Sequence, residues 1–146
     1  MYIIGIDPGR DNIGVAVIDS EPKLYALDLV SRSNNHKEFA RWFYQQYKSY
    51  LLADTIVVIE QQPRYSSNTN IFGFLSGFLF ALGVECKQVK PWGYNQGYTS
   101  YKDRKQASYD HVMTYSERNQ FALLKELDVS FDQADALNIA LKYIKY

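Results

Sequence analysis

The chain has 146 residues, 47% of them apolar, and balances 16 basic against 16 acidic side chains for a net charge of +0. That is material for one domain, residues 1–146, with a real core; it argues against a polycationic surface but not against a local basic groove. A lone cysteine, Cys86, rules out an internal disulfide, and no segment reaches the roughly 20 apolar residues of a membrane span, so a soluble, intracellular protein is expected.

In chain order, residues 2–6 form a β-branched run that ends at Asp7 and is broken by Pro8 and Gly9. Residues 13–18 and 24–30, with the Glu21-Pro22 turn between them, read as two more strands of an antiparallel meander. Asn34 or Asn35 is placed to cap a helix in which Phe39, Phe43, Tyr47 and Tyr50 recur at helical spacing. Residues 55–59, TIVVI, form a fully apolar strand ending at Glu60, the pattern of a strand buried on both faces. An apolar helix over 71–83 and a strand over 84–89, which holds Cys86, come next. A loop over 93–101, a helix from about 103 to 115 and a second one through Leu127 are predicted after it. The last helix carries its own start signal. Ser130 and Gln133 form a capping box, and Val129 with Ala134 a hydrophobic staple. A meander followed by strand–helix–strand crossovers predicts an α/β fold: a five-stranded mixed sheet with helices on both faces.

Two carboxylates end strands and two share a helix face. With a right-handed crossover the fourth strand lies parallel beside the first, so Asp7 and Glu60 meet at the carboxyl edge of the sheet, where such sheets hold ligands. Asp132 and Asp135 stand three apart in the first turns of the last helix, where the helix dipole favours negative charge. Four clustered carboxylates repel one another unless a cation intervenes, and oxygen ligands without sulfur suit Mg²⁺ or Mn²⁺. Two such ions about 4 Å apart are an arrangement that cleaves phosphodiesters.

These residues resemble the RuvC-like Holliday junction resolvases, of ribonuclease H-like fold, over most of the chain. GIDPGRDNIGVAVID is similar to the family's first-strand motif, VVIEQQP to its IEQ motif, and DQADALNIA to its C-terminal D-x-x-D-A-L motif. The flavour is that of viral or phage members, which would place the protein in a host cytoplasm. The resemblance implies a homodimer that cuts opposing strands of a four-way DNA junction symmetrically. It implies two Mg²⁺ per site, replaceable by Mn²⁺, held by Asp7, Glu60, Asp132 and Asp135. It also implies cuts that leave 5′-phosphate and 3′-hydroxyl ends. The family's lysine ahead of the penultimate helix has its best counterpart in Lys105, with Lys102 and Arg104 as rivals, and its role would be at the scissile phosphate.

Bacterial members carry an aromatic three residues past the glutamate, where this chain has Pro63; Tyr65 is the nearest aromatic able to stack on a base. Arg64, Lys87, Lys90, Lys102, Arg104 and Lys105 are candidates for a phosphate groove. The helix over 71–83 reads either as part of a dimer interface or as an internal core helix. Rival readings are a YqgF-type nuclease acting on RNA, which lacks such a glutamate-ending strand, and an inactive branched-nucleic-acid binding module, against which all four acids argue. An actin-like sugar kinase would need two such domains.

Overall fold

The computed structural model describes residues 1–9, 11–31, 35–62, 68–90, 100–119 and 128–145. Its elements run β1 (Tyr2–Pro8), β2 (Asn12–Asp19), β3 (Leu24–Ser31), α1 (His36–Leu51), β4 (Thr55–Glu60), α2 (Asn68–Ala81), β5 (Glu85–Val89), α3 (Tyr101–Asn119) and α4 (Phe131–Lys145). The five strands form one mixed sheet in the order β3-β2-β1-β4-β5. β1 pairs antiparallel with β2 and parallel with β4, so it lies at the centre.

The two-residue period of the strands sorts the core into two layers. Ile4 and Ile6 of β1, Val15 and Val17 of β2, and Val57 and Ile59 of β4 pack with Phe39, Phe43 and Tyr47 of α1 and Ile71, Leu75 and Leu79 of α2. Ile3, Ala16, Ile18, Ile56 and Val58 alternate with them and pack on the other face with Val112 of α3 and Ala136, Leu137 and Ala140 of α4. Helices thus cover both faces of the sheet, as a strand apolar on both sides requires. Cys86 sits half-buried in β5, and burial pushes its thiol up to about 11, so it is a packing residue and not a reactive one.

Helix ends follow local chemistry. Asn35 caps α1, its side-chain oxygen accepting from the backbone N–H groups of Lys37 (3.1 Å) and Glu38 (3.2 Å). Three bonds close α2: Leu82 N–H donates to Leu79 O (3.0 Å), Gly83 N–H to Phe80 O (3.0 Å) and Val84 N–H to Leu79 O (2.9 Å). Gly83 adopts φ 75°, the left-handed turn that glycine allows. α2 begins three residues before the apolar run, because Asn68, Thr69 and Asn70 form its polar first turn. α3 begins at Tyr101, inside the predicted loop, because Ser100 Oγ accepts from Asp103 N–H (3.1 Å) and starts the helix there. It runs on to Asn119, and the second helix expected through Leu127 lies outside the described residues, as do residues 93–99 of the loop. None of the described helices is long and apolar enough to cross a membrane.

Two glycines let α4 settle onto the sheet. A Cβ at Gly5 would stand 2.2 Å from the Ala136 carbonyl oxygen, and one at Gly14 would stand 2.1 Å from that of Asp132. These contacts are with helix backbone, so no rotamer change relieves them. Gly5→Ala is therefore expected to lift α4 off β1 and cost about 1–3 kcal/mol or more, measured by urea unfolding. An unchanged midpoint would mean that the helix docks less tightly.

Candidate active site

Strand period and capping together bring the acidic residues to one place. Ile3 and Gly5 face α4, and two residues on so does Asp7. Ile56 and Val58 face the same way, and Glu60 follows them. The parallel register ends with Ile6 opposite Ile59, so Asp7 and Glu60 come next in step at the carboxyl ends of neighbouring strands. Across from them the capping box opens α4: Ser130 Oγ accepts from Gln133 N–H (3.1 Å), and Gln133 Oε1 accepts from Ser130 N–H (2.9 Å). Gln133 also donates to Leu27 O of β3 (3.1 Å), which fixes the helix end over the sheet. Val129 and Ala134, the predicted staple, are both buried in the same core layer.

Carboxylate oxygens of Asp7, Asp132 and Asp135 lie within 4.8 Å of one another. Glu60 stands outside this tight group, yet its charge is felt there. Burial raises the Asp7 pKa well above the usual carboxylate range, Lys105 pulls it back, and Asp135, Glu60 and Asp132 push it up again. Burial and then Asp135 raise Glu60 to about 7, against the lowering effect of Lys105 and Lys142.

The Lys105 ammonium, from α3, enters the middle of the cluster. Its Nζ is 3.6 Å from Asp7 Oδ2 and 3.5 Å from Asp132 Oδ1, and it donates a hydrogen bond to Asp135 Oδ2. Burial alone would lower its pKa, but Asp7 and Asp135 outweigh burial and hold it above the ordinary lysine value. It remains charged, and it is the cation on which the three aspartates converge.

The donor set suits a hard divalent cation. All of it is oxygen, and Asp7 Oδ2 is buried with no hydrogen-bond partner among the described residues. A buried, unbonded carboxylate oxygen beside two more carboxylates is the environment that such an ion satisfies.

Behind Asp135 runs a polar chain that the sequence reading missed. Ser108 Oγ donates to Asp135 Oδ1; Asn138 Nδ2 donates to Ser108 Oγ (2.9 Å) and Ser108 O (3.0 Å); His111 Nδ1 meets Asn138 Oδ1 at 2.7 Å. Ser108 and Asn138 are 2% and 1% exposed, so the chain is shielded from water and holds one Asp135 rotamer. The available signal was Asn138 itself, a polar residue in the apolar stripe of DQADALNIA. Asn138→Leu should free Asp135 and weaken Mn²⁺ binding about 10- to 100-fold by calorimetry, the usual effect of removing a group that orients a ligand. Unaltered affinity in a folded variant would assign the chain to packing alone.

The raised Glu60 pKa has a stability consequence. In chelator, the folded state favours protonated Glu60, so this stabilisation is complete below about 4.5 and is lost as pH rises through about 7. Divalent ions need the ionised form, so the melting temperature gained on adding Mn²⁺ should grow over that same interval. Glu60→Gln should reduce both trends in thermal unfolding and leave the part that the raised Asp7 contributes; trends of undiminished size in that variant would locate the titration elsewhere.

The basic residues divide. Lys102 and Lys105 line a cavity with Tyr101, Phe131 and Asp132. Arg104 is exposed on α3, and Lys90 is exposed just past β5, its carbonyl accepting from Lys142 Nζ (3.0 Å). Lys87 pairs with Glu85 (3.2 Å) and lies over the Tyr143 ring. Pro63, Arg64 and Tyr65 lie outside the described residues.

Comparison with known proteins agrees with this geometry. The family model described as Poxvirus A22 protein matches residues 1–145. A monkeypox virus resolvase is 28% identical over 149 residues, covering 97% of this chain and 74% of that protein. A vaccinia virus Holliday junction resolvase is 33% identical over 97 residues, which cover 62% of this chain and 48% of that protein. The fold superposes on the fowlpox virus resolvase solved with its substrate Holliday junction DNA, with TM-score 0.74 and 25% identity, over 99% of this chain and 97% of that one. It also superposes on T. thermophilus RuvC solved with a Holliday junction substrate, with TM-score 0.62 and 23% identity, over 97% and 90% of the two chains. The architecture is thus the RuvC-like, ribonuclease H-like fold.

Proposed function

Because the chain belongs to the poxvirus A22 protein family, we propose that it is a structure-selective endodeoxyribonuclease that resolves four-way DNA junctions by paired, symmetric nicks. The observation that carries this reading is the group of buried Asp7 and Asp135 with half-buried Asp132 at the carboxyl edge of the sheet, with an Asp7 oxygen that has no hydrogen-bond partner among the described residues. The named activity of the monkeypox, vaccinia and fowlpox relatives supports it.

In this reading Asp7, Glu60, Asp132 and Asp135 hold two Mg²⁺, with Mn²⁺ able to replace them. Such ions supply Lewis-acid activation of water and neutralise charge at the leaving oxygen. The protein contributes position and charge. Ser108 and Asn138 fix Asp135, the capping box fixes Asp132, and strand pairing fixes Asp7 and Glu60. Lys105 balances the carboxylates and presents its N–H groups to the scissile phosphate. Lys90, Lys102 and Arg104, with Arg64 and Tyr65, contact the flanking DNA.

Paired nicks need two sites, hence a homodimer. One face of α2 supports this: Gly73, Phe74, Gly77 and Phe80 are exposed, with Phe80 at 83%, while Ile71, Leu75 and Leu79 fill the core. The apolar helix therefore has an inner face that serves the core and an outer one free for a second copy.

The test is cleavage of an end-labelled four-way junction, its linear duplex and a matched RNA stem, with Mg²⁺ and with chelator. Symmetric nicks in opposing strands of the junction alone, only with Mg²⁺, are expected. Cutting of the RNA stem would move the protein to a YqgF-type nuclease. Tight junction binding with no cutting under any divalent ion would make it a binding module.

A further inference from the structure

The cavity beside the carboxylates has a volume of about 250 Å³ and is lined by Tyr101, Lys102, Lys105, Phe131 and Asp132. Two of these walls are aromatic and unusually open, Tyr101 at 65% exposed and Phe131 at 41%. Both rings are nevertheless held. Lys105 Nζ lies 5.6 Å from the centre of the Tyr101 ring, and Tyr109 meets Phe131 edge to face at 5.7 Å and 85°. Held aromatic faces bind a flat partner with little further loss of freedom.

Asp132 and Lys105 belong to both the cavity and the carboxylate cluster, 3.5 Å apart. A group in the cavity therefore lies next to the phosphodiester that would be cleaved at the cluster. The Asp132 carboxylate disfavours a phosphate deep inside, whereas the aromatic walls favour a neutral π-faced group, with Lys102 left to meet a phosphate at the rim. A nucleobase has that chemistry, and drawing one out of a helix costs least where pairing and stacking are already interrupted.

We propose that Tyr101 and Phe131 receive the nucleobase adjacent to the cleaved phosphate, unstacked at the branch point of the DNA. This rests on the nuclease reading above, and it makes the cavity a device that favours branched over continuous duplex. Tyr101→Ala and Phe131→Ala are assayed on junctions that are intact or abasic on either side of the cut. Each variant should lower kcat/KM on the intact junction about 5- to 150-fold, the range expected for one base–aromatic stack. An abasic site at the captured position should cost the unaltered protein a similar factor and the variants nothing further. Mn²⁺ affinity, measured alongside, should be unchanged in both variants, separating loss of stacking from disturbance of Asp132. Equal losses on intact and abasic junctions, or no loss at all, would overturn the base site while junction cleavage by the unaltered protein left the nuclease reading standing. Absence of that cleavage would overturn both.

Discussion

Asp7→Asn is expected to lower junction cleavage on the order of 10⁴-fold while junction binding stays equal or tightens slightly. Asp7 is 4% exposed, and asparagine matches its shape, so the site keeps its outline. What disappears is the carboxylate charge, shared by the oxygen that has no hydrogen-bond partner among the described residues. Divalent ions would lose their most buried ligand, and DNA phosphate would meet one fewer negative charge. Gel-shift and cleavage assays on one labelled junction separate the two effects. Mg²⁺-dependent cutting retained at the unaltered rate would remove Asp7 from the site.

Lys105→Met should act in the opposite direction on metal and on chemistry. In chelator the variant loses the cation that faces Asp7, Asp132 and Asp135, and an uncompensated buried charge cluster costs about 3–5 kcal/mol. Added Mn²⁺ should restore most of that stability and bind more tightly than to the unaltered protein, because no ammonium opposes it. Cleavage should still fall about 10²- to 10³-fold if the same lysine stabilises charge at the phosphate. Thermal unfolding with and without Mn²⁺, followed by a single-turnover assay, reads all three. A variant as stable as the parent in chelator would show that Lys105 is not the cluster's counter-charge.

Much of the frame is legible from period alone. Alternation in YIIGID and TIVVIE sends Ile3, Gly5 and Asp7, and Ile56, Val58 and Glu60, to one face, and the S-x-x-Q box starts α4 so that Asp132 and Asp135 meet Asp7. The family resemblance favours Lys105 but leaves Lys102 and Arg104 as rivals. All three lie within four positions on one helix, and only the way α3 packs on α4 sends the Lys105 side chain inward. Asn138 stands out only as a polar residue in an apolar stripe, and its partners Ser108 and His111 cannot be read at all, because contacts across 27 to 30 residues leave no local pattern. The start of α3 is hidden in the sequence because Ser100, in a stretch rich in Gly, Tyr and Ser, reads as loop, whereas its side chain caps the Asp103 N–H. Glu60 standing apart from the three aspartates also could not be read from strand order, since register gives neighbouring backbones and not the reach of their side chains.

The most direct test of the carboxylate cluster as a metal centre is the anomalous scattering of crystals grown with Mn²⁺. Two peaks bounded by Asp7, Glu60, Asp132 and Asp135, with the Lys105 ammonium displaced from between the aspartates, are the predicted result. Full Mn²⁺ saturation in solution with no peak at these residues, and Lys105 still among the aspartates, would contradict it.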